Sequence, residues 1–143
     1  MPEPDWIPSP VAAELEAVVR AFRDAGKVAK HVTLMGLLDS WSGLVEAVEL
    51  GYEESVYEYA NDVDSRAILG RVASSASPQA SEALLLWLRP WDERYESATL
   101  RAAAPFHGRA DPSDPHAASR WHWRIPRRLV GELRSDLQAM GLA

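Results

Sequence analysis

The densest cluster of reactive side chains is the segment Glu58-Tyr59-Ala60-Asn61-Asp62-Val63-Asp64-Ser65-Arg66. A D-x-D pair such as Asp62 and Asp64 carries the hard oxygen ligands that suit a divalent cation. No glycine or terminal glutamate follows in the register of a calcium loop, so the better reading is helix capping, with Asp62 pairing Arg66 one turn on. A second candidate is Asp92 and Glu96 in Trp91-Asp92-Glu93-Arg94-Tyr95-Glu96. Paired carboxylates can divide acid and base roles. On a helix the same spacing marks a solvated face, with Arg89 and Glu93 pairing beside it and Trp91 and Tyr95 turned to the core. The histidines, His31, His107, His116 and His122, include no compact ligand pair. His107 and His116 flank a turn-rich segment with Asp111 and Asp114, where a loop zinc site is the weaker reading. There is no G-x-S-x-G and no phosphate loop. The absence of cysteine excludes disulfides, thiol catalysis and thiolate metal sites. These residues lean against an enzyme. No catalytic residue, metal or cofactor is assigned.

Charge distribution points elsewhere. From His31 to Asp64 there is no Lys or Arg, while Asp39, Glu46, Glu49, Glu53, Glu54, Glu58, Asp62 and Asp64 are acidic and Tyr52, Tyr57 and Tyr59 lie among them. Residues 1–64 hold 13 carboxylates against 4 cations, and residues 65–143 hold 8 against 11 arginines. Tyr57 falls off the Tyr52–Val56–Tyr59 stripe and is expected to be exposed beside Glu53, Glu54 and Glu58. Tyrosine is enriched at binding hot spots, and clustered carboxylates steer a basic partner. The candidate binding residues are therefore Glu53, Glu54, Tyr57, Glu58, Asp62 and Asp64. The leading expectation is a protein-binding module, an inhibitor or immunity-type partner of a basic protein. Asp62 or Asp64 would pair with an arginine of that target.

Arg120-Trp121-His122-Trp123-Arg124, with Arg127 and Arg128, is a basic and aromatic patch of the kind that stacks single-stranded nucleic acid. A net charge of −6 opposes that use. An internal role is favoured, with both tryptophans on the core and the arginines meeting the acidic window. No nucleic acid or membrane partner is expected. The second functional reading is a small enzyme or ligand-binding domain, its pocket lined by Trp41, Trp91 and Tyr95 with Glu58, Asp62 or Asp92. The third is a homodimer joining acidic window to basic tail.

The elements that must position these residues are helical. Ser9-Pro10 opens a helix with Val11, Leu15, Val18 and Phe22 on one face and Gly26 as its stop. Residues 27–36 are ambiguous. Leu37, Trp41, Leu44, Val45 and Val48 form a second stripe ended by Gly51. A short helix follows it, then a break at Asn61–Asp64 and a recapped helix with Ala67, Ile68 and Val72. Ser77-Pro78 opens a run through Leu84, Leu88, Trp91 and Tyr95, interrupted by a kink at Pro90. Trp121, Trp123 and Ile125 alternate as a strand would, with Thr99–Pro105 as its nearby pairing candidate. Pro126 opens a last helix with Leu129, Leu133, Leu137 and Met140. The fold expected is mainly α: a single-domain bundle of five to six helices over 1–143, with room for one short β-hairpin near residues 99–125. Residues 1–8 read as an N-terminal arm and residues 105–119 as a mobile loop.

At 143 residues and 47% hydrophobic content the chain can bury its own core. Met1–Asp5 has neither the basic nor the apolar stretch of a secretory leader, and no apolar run approaches bilayer length. The expected location is cytoplasmic. The strings Gly51-Tyr52 to Tyr59-Ala60-Asn61-Asp62 to Arg66, Asp92-Glu93-Arg94-Tyr95 and Trp121 to Trp123-Arg124 resemble small bacterial proteins. In size, acidity and helicity the chain is similar to toxin-immunity proteins. That likeness lies in composition rather than in a specific motif, and it transfers no catalytic residue.

Overall fold

The computed structural model describes residues 8–106 and 119–143. Helices α1 (Ser9–Asp24), α2 (Leu34–Leu50), α3 (Val56–Ser75) and α4 (Pro78–Ala98) are followed by strand β1 (Thr99–Arg101). A 3-10 turn (Arg120–Trp123), strand β2 (Arg124–Pro126) and helix α5 (Gly131–Ala139) complete the chain. The strands form one antiparallel hairpin in which Leu100 faces Ile125. The mainly helical single domain is as expected. The hairpin uses Arg124–Pro126 rather than Trp121–Ile125, because Arg120–Trp123 closes into the 3-10 turn first. The described helices include none long and apolar enough to cross a membrane. Most of the proposed N-terminal arm and of the proposed mobile loop lies outside the described residues.

Local chemistry sets the helix starts. Thr33, Ser55 and Ser77 each accept a hydrogen bond from the main-chain N–H three residues on, at 3.0, 3.3 and 3.3 Å. α2 buries Leu37, Leu38, Trp41, Leu44, Val45 and Val48, and Gly51 ends it at φ 116°. α3 is the central helix and packs on α1, α2, α4 and α5. No break occurs at Asn61–Asp64. The buried Tyr59, Ala60, Val63, Leu69 and Val72 tie both halves into one 20-residue helix. Asp62 and Asp64 are thus mid-helix residues rather than caps. α4 continues as one helix through Pro90, which is exposed. The carbonyl that loses its donor there belongs to Leu86, itself 53% exposed, so water can replace the missing N–H.

Each fully buried Leu15, Leu69, Leu84, Leu88, Leu133 or Leu137 stabilises the fold by about 1.5–3 kcal/mol. The last helix begins at Gly131 rather than Pro126 because the preceding residues are engaged in pairing. Pro126 faces Thr99 in the hairpin, and Leu129 forms a parallel bridge to Tyr52. Met140 is 44% exposed, so the final apolar stripe stops at Leu137.

Candidate functional site

The α2–α3 connection, residues 51–55, carries the exposed Glu53 and Glu54 of the acidic window. It is held from behind by the C-terminal segment. Tyr52 bridges Leu129, the N–H of Glu132 donates to the carbonyl of Glu53 at 2.9 Å, and the Asp136 carboxylate accepts from the N–H of Val56 at 2.9 Å. Asp136 thereby caps α3 from another helix, as a negative charge at a helix N-terminus should. On this support Glu53, Glu54 and Glu58 are exposed, and Leu50 and Tyr57 on either side of the connection are each 79% exposed. Glu53, Glu54 and Glu58 have no ion-pair partner among the described residues. A rigid display of this kind lowers the ordering cost of association.

The expected meeting of the basic tail with the acidic window does not occur. Arg120 pairs with Glu96 at 2.7 Å. Arg124 donates to the Thr99 hydroxyl and to the carbonyls of Glu96 and Thr99, and Arg127 donates to the carbonyl of Ser97. Arg128 lays its stem beside Gly51, with Cδ 3.6 Å from where a Cβ would stand, and pairs with no carboxylate among the described residues. The physical reason is the hairpin, which places Arg124 and Arg127 over the carbonyls at the end of α4. Among the described residues, Glu49 is the window residue that finds an arginine, Arg94 of α4.

Asp62 leaves the proposed face and turns inward, while Asp64 stays 41% exposed and is engaged by His122. Two residues apart on a helix, they point in different directions. Asp62 accepts from Tyr52 Oη at 3.0 Å and from Ser40 Oγ at 3.2 Å, and Ser65 Oγ in turn donates to Ser40 at 2.9 Å. Burial pushes the Asp62 carboxyl above its ordinary value, and the hydrogen bonds from Tyr52 and Ser40 hold it back. Burial, with Asp62 beside it, also raises the Tyr52 phenol. Asp64 receives His122 Nε2 at 2.7 Å. No cluster among the described residues could hold a metal ion. The His107, His116, Asp111 and Asp114 set lies outside the described residues.

Because the folded-state value of Asp62 exceeds the unfolded one, the folded chain binds the extra proton, and this residue's contribution to stability falls as pH rises through that interval. Tyr52→Phe removes a hydrogen bond to the charged form. It is expected to raise the Asp62 midpoint further and to steepen that loss. Carboxyl-carbon NMR titration of both proteins reads this directly. A midpoint unmoved or lowered would mean that the phenol does not stabilise the anion.

Sequence reasoning missed two further sets. Arg66 pairs with Asp92 of α4, not with Asp62: its Nε and Nη2 each reach an Asp92 oxygen at 2.8 Å, and Trp41 Nε1 donates to Oδ1 at 3.0 Å. Asp92 is consequently no solvated-face residue, and Arg89 and Glu93 form no ion pair. Trp41 is fully buried and packs on Tyr95 at 4.7 Å and on Trp121 at 5.4 Å between ring centroids. Trp91 is half-buried against the core with Arg94 over its ring, and Glu58 is exposed; of the proposed pocket residues, Asp92 and Tyr95 are the two that meet Trp41. The second set is the buried pair Tyr59 and Tyr95, whose hydroxyls lie 2.8 Å apart. They reach the carbonyls of Arg124 and Trp121, and burial raises both phenols. Helical spacing had marked all these rings as core, but not which polar atom each would find.

No protein-family model, curated protein or solved structure matches the chain.

Proposed function

We propose that the chain is a protein-binding module that presents Glu53, Glu54, Tyr57 and Glu58 to a basic partner, as an inhibitor or immunity-type protein would. The observation that carries this reading is the exposure of these four side chains, with no cation of the described residues neutralising the three carboxylates. Leu50 and Tyr57, each 79% exposed, add apolar contact area beside the charge. Carboxylates at the rim set the encounter rate, and the aromatic anchor sets residence time. Asp62 and Asp64 belong to the scaffold in this reading rather than to the contact surface.

The test uses the basic protein captured by the chain from its native host. Combined Glu53→Gln, Glu54→Gln and Glu58→Gln substitution is expected to slow association about ten-fold at low salt and to flatten its salt dependence. Tyr57→Ala should act mainly on dissociation. Association kinetics indifferent to all four changes would remove the proposal.

A further inference from the structure

We propose that Ser119, His122 and Asp64 form a serine–imidazole–carboxylate relay that accepts an acyl group from a small activated ester. This relay is independent of the acidic face and shares no residue with it. α3 supplies Asp64, while the 3-10 turn supplies Ser119 at its cap and His122 within it. Ser119 Oγ lies 2.9 Å from His122 Nδ1, and His122 Nε2 lies 2.7 Å from Asp64 Oδ1. The main-chain N–H of Ser119 also points at Nδ1, at 3.0 Å. A main-chain N–H can only donate, so Nδ1 carries no proton and the neutral ring keeps its proton on Nε2, directed at Asp64. This is the tautomer that a base beside a serine requires: an unprotonated nitrogen toward the hydroxyl and an N–H oriented by a carboxylate.

Burial divides the three residues as this chemistry needs. His122 is 4% exposed and packs against Phe106 at 5.6 Å, so its orientation is held. Ser119 is half-buried and the Asp64 side chain is 41% exposed, so the two ends of the relay are open to solvent in part while the ring between them is not. Reaching back to the Ser119 N–H, His122 also closes a capping box, taking the place usually held by Glu or Gln. A cap needs only Nδ1. The carboxylate behind the ring, brought from a residue 58 positions away, fixes the ring's orientation and holds its proton on Nε2.

In the reaction, Oγ bonds to the acyl carbon as its proton passes to Nδ1. The ester C–O bond then breaks, and the leaving group takes that proton from the imidazolium. Water, giving its proton to Nδ1, next attacks the acyl carbon. The Oγ–acyl bond breaks, Oγ recovers the proton and the acid is released. Aryl esters fit best, because their leaving groups depart with little help to the developing oxyanion.

When the full chain is treated with an alkyl fluorophosphonate, Oγ of Ser119 is expected to bond to phosphorus as the reagent's P–F bond breaks and fluoride leaves, and mass spectrometry locates the phosphonyl group on Ser119. S119A should abolish labelling while its circular dichroism and melting remain those of a folded protein. Asp64 is a positioning residue. D64N should slow hydrolysis of p-nitrophenyl acetate by about 10²-fold or more and displace the pH profile. Should D64N not fold, the wild-type pH dependence of labelling decides instead, a single ionisation supporting the relay. Labelling of Ser119 no faster than of other serines, or independent of pH, would reduce the trio to a helix cap.

Discussion

Arg66→Ala is expected to destabilise the fold by about 3–5 kcal/mol, the range for removing one partner of a buried ion pair. Arg66 is 7% exposed, and both of its bonds to Asp92 are 2.8 Å long. Its guanidinium also stands 4.6 Å from the Trp121 ring centroid. Without it, the Asp92 carboxylate keeps only Trp41 Nε1, and a largely buried negative charge goes unmatched. Removing the side chain also leaves a void between α3, α4 and the 3-10 turn. Urea unfolding with an unchanged slope measures the loss. A value under about 1 kcal/mol would show that the pair behaves as a solvent-screened surface contact. Pairing this change with Asp92→Ala in a double-mutant cycle should return a coupling of about 0.5–3 kcal/mol, because the two side chains touch.

Gly131→Ala should cost about 2–5 kcal/mol through two additive effects. Gly131 has φ 58°, where a side chain costs about 1–2 kcal/mol. An added Cβ would also stand 2.5 Å from the carbonyl oxygen and 2.8 Å from the Cα of Glu53. Both atoms are backbone, so no rotamer change relieves the clash, and overpacking adds about 1–3 kcal/mol. The damage falls where α5 braces the acidic connection. Faster hydrogen exchange at the Glu132 N–H, which donates to Glu53, is expected alongside the loss of stability. A variant as stable as the wild type, with unchanged exchange, would show that the C-terminal segment does not hold the connection in place.

The exposed and buried halves of the proposed site were legible to different degrees. Tyr57 was separable from Tyr52 and Tyr59 because helical spacing alone puts it off the stripe, and it is 79% exposed while Tyr59 is fully buried. Glu53, Glu54 and Glu58 were placed in solvent by the same argument. Asp62 and Asp64 were not separable from them, because α3 is covered on several sides. A helix surrounded by others has no clean polar face, and its buried polar residues resemble surface ones until their partners are known.

Sequence periodicity, capping residues and prolines determined the helical class, the stripes of α1, α2 and α4, and the uneven charge, since these depend on neighbours a few positions apart. Tertiary structure alone decided that α3 is continuous, that Arg66 meets Asp92, that His122 meets Asp64, and that the C-terminal arginines cover the end of α4. Each of those pairings spans 24 or more residues, apart from the continuity of α3, which its buried face imposes. A buried charge accepts whichever opposite partner packing brings within about 3 Å, and local sequence carries no record of that choice.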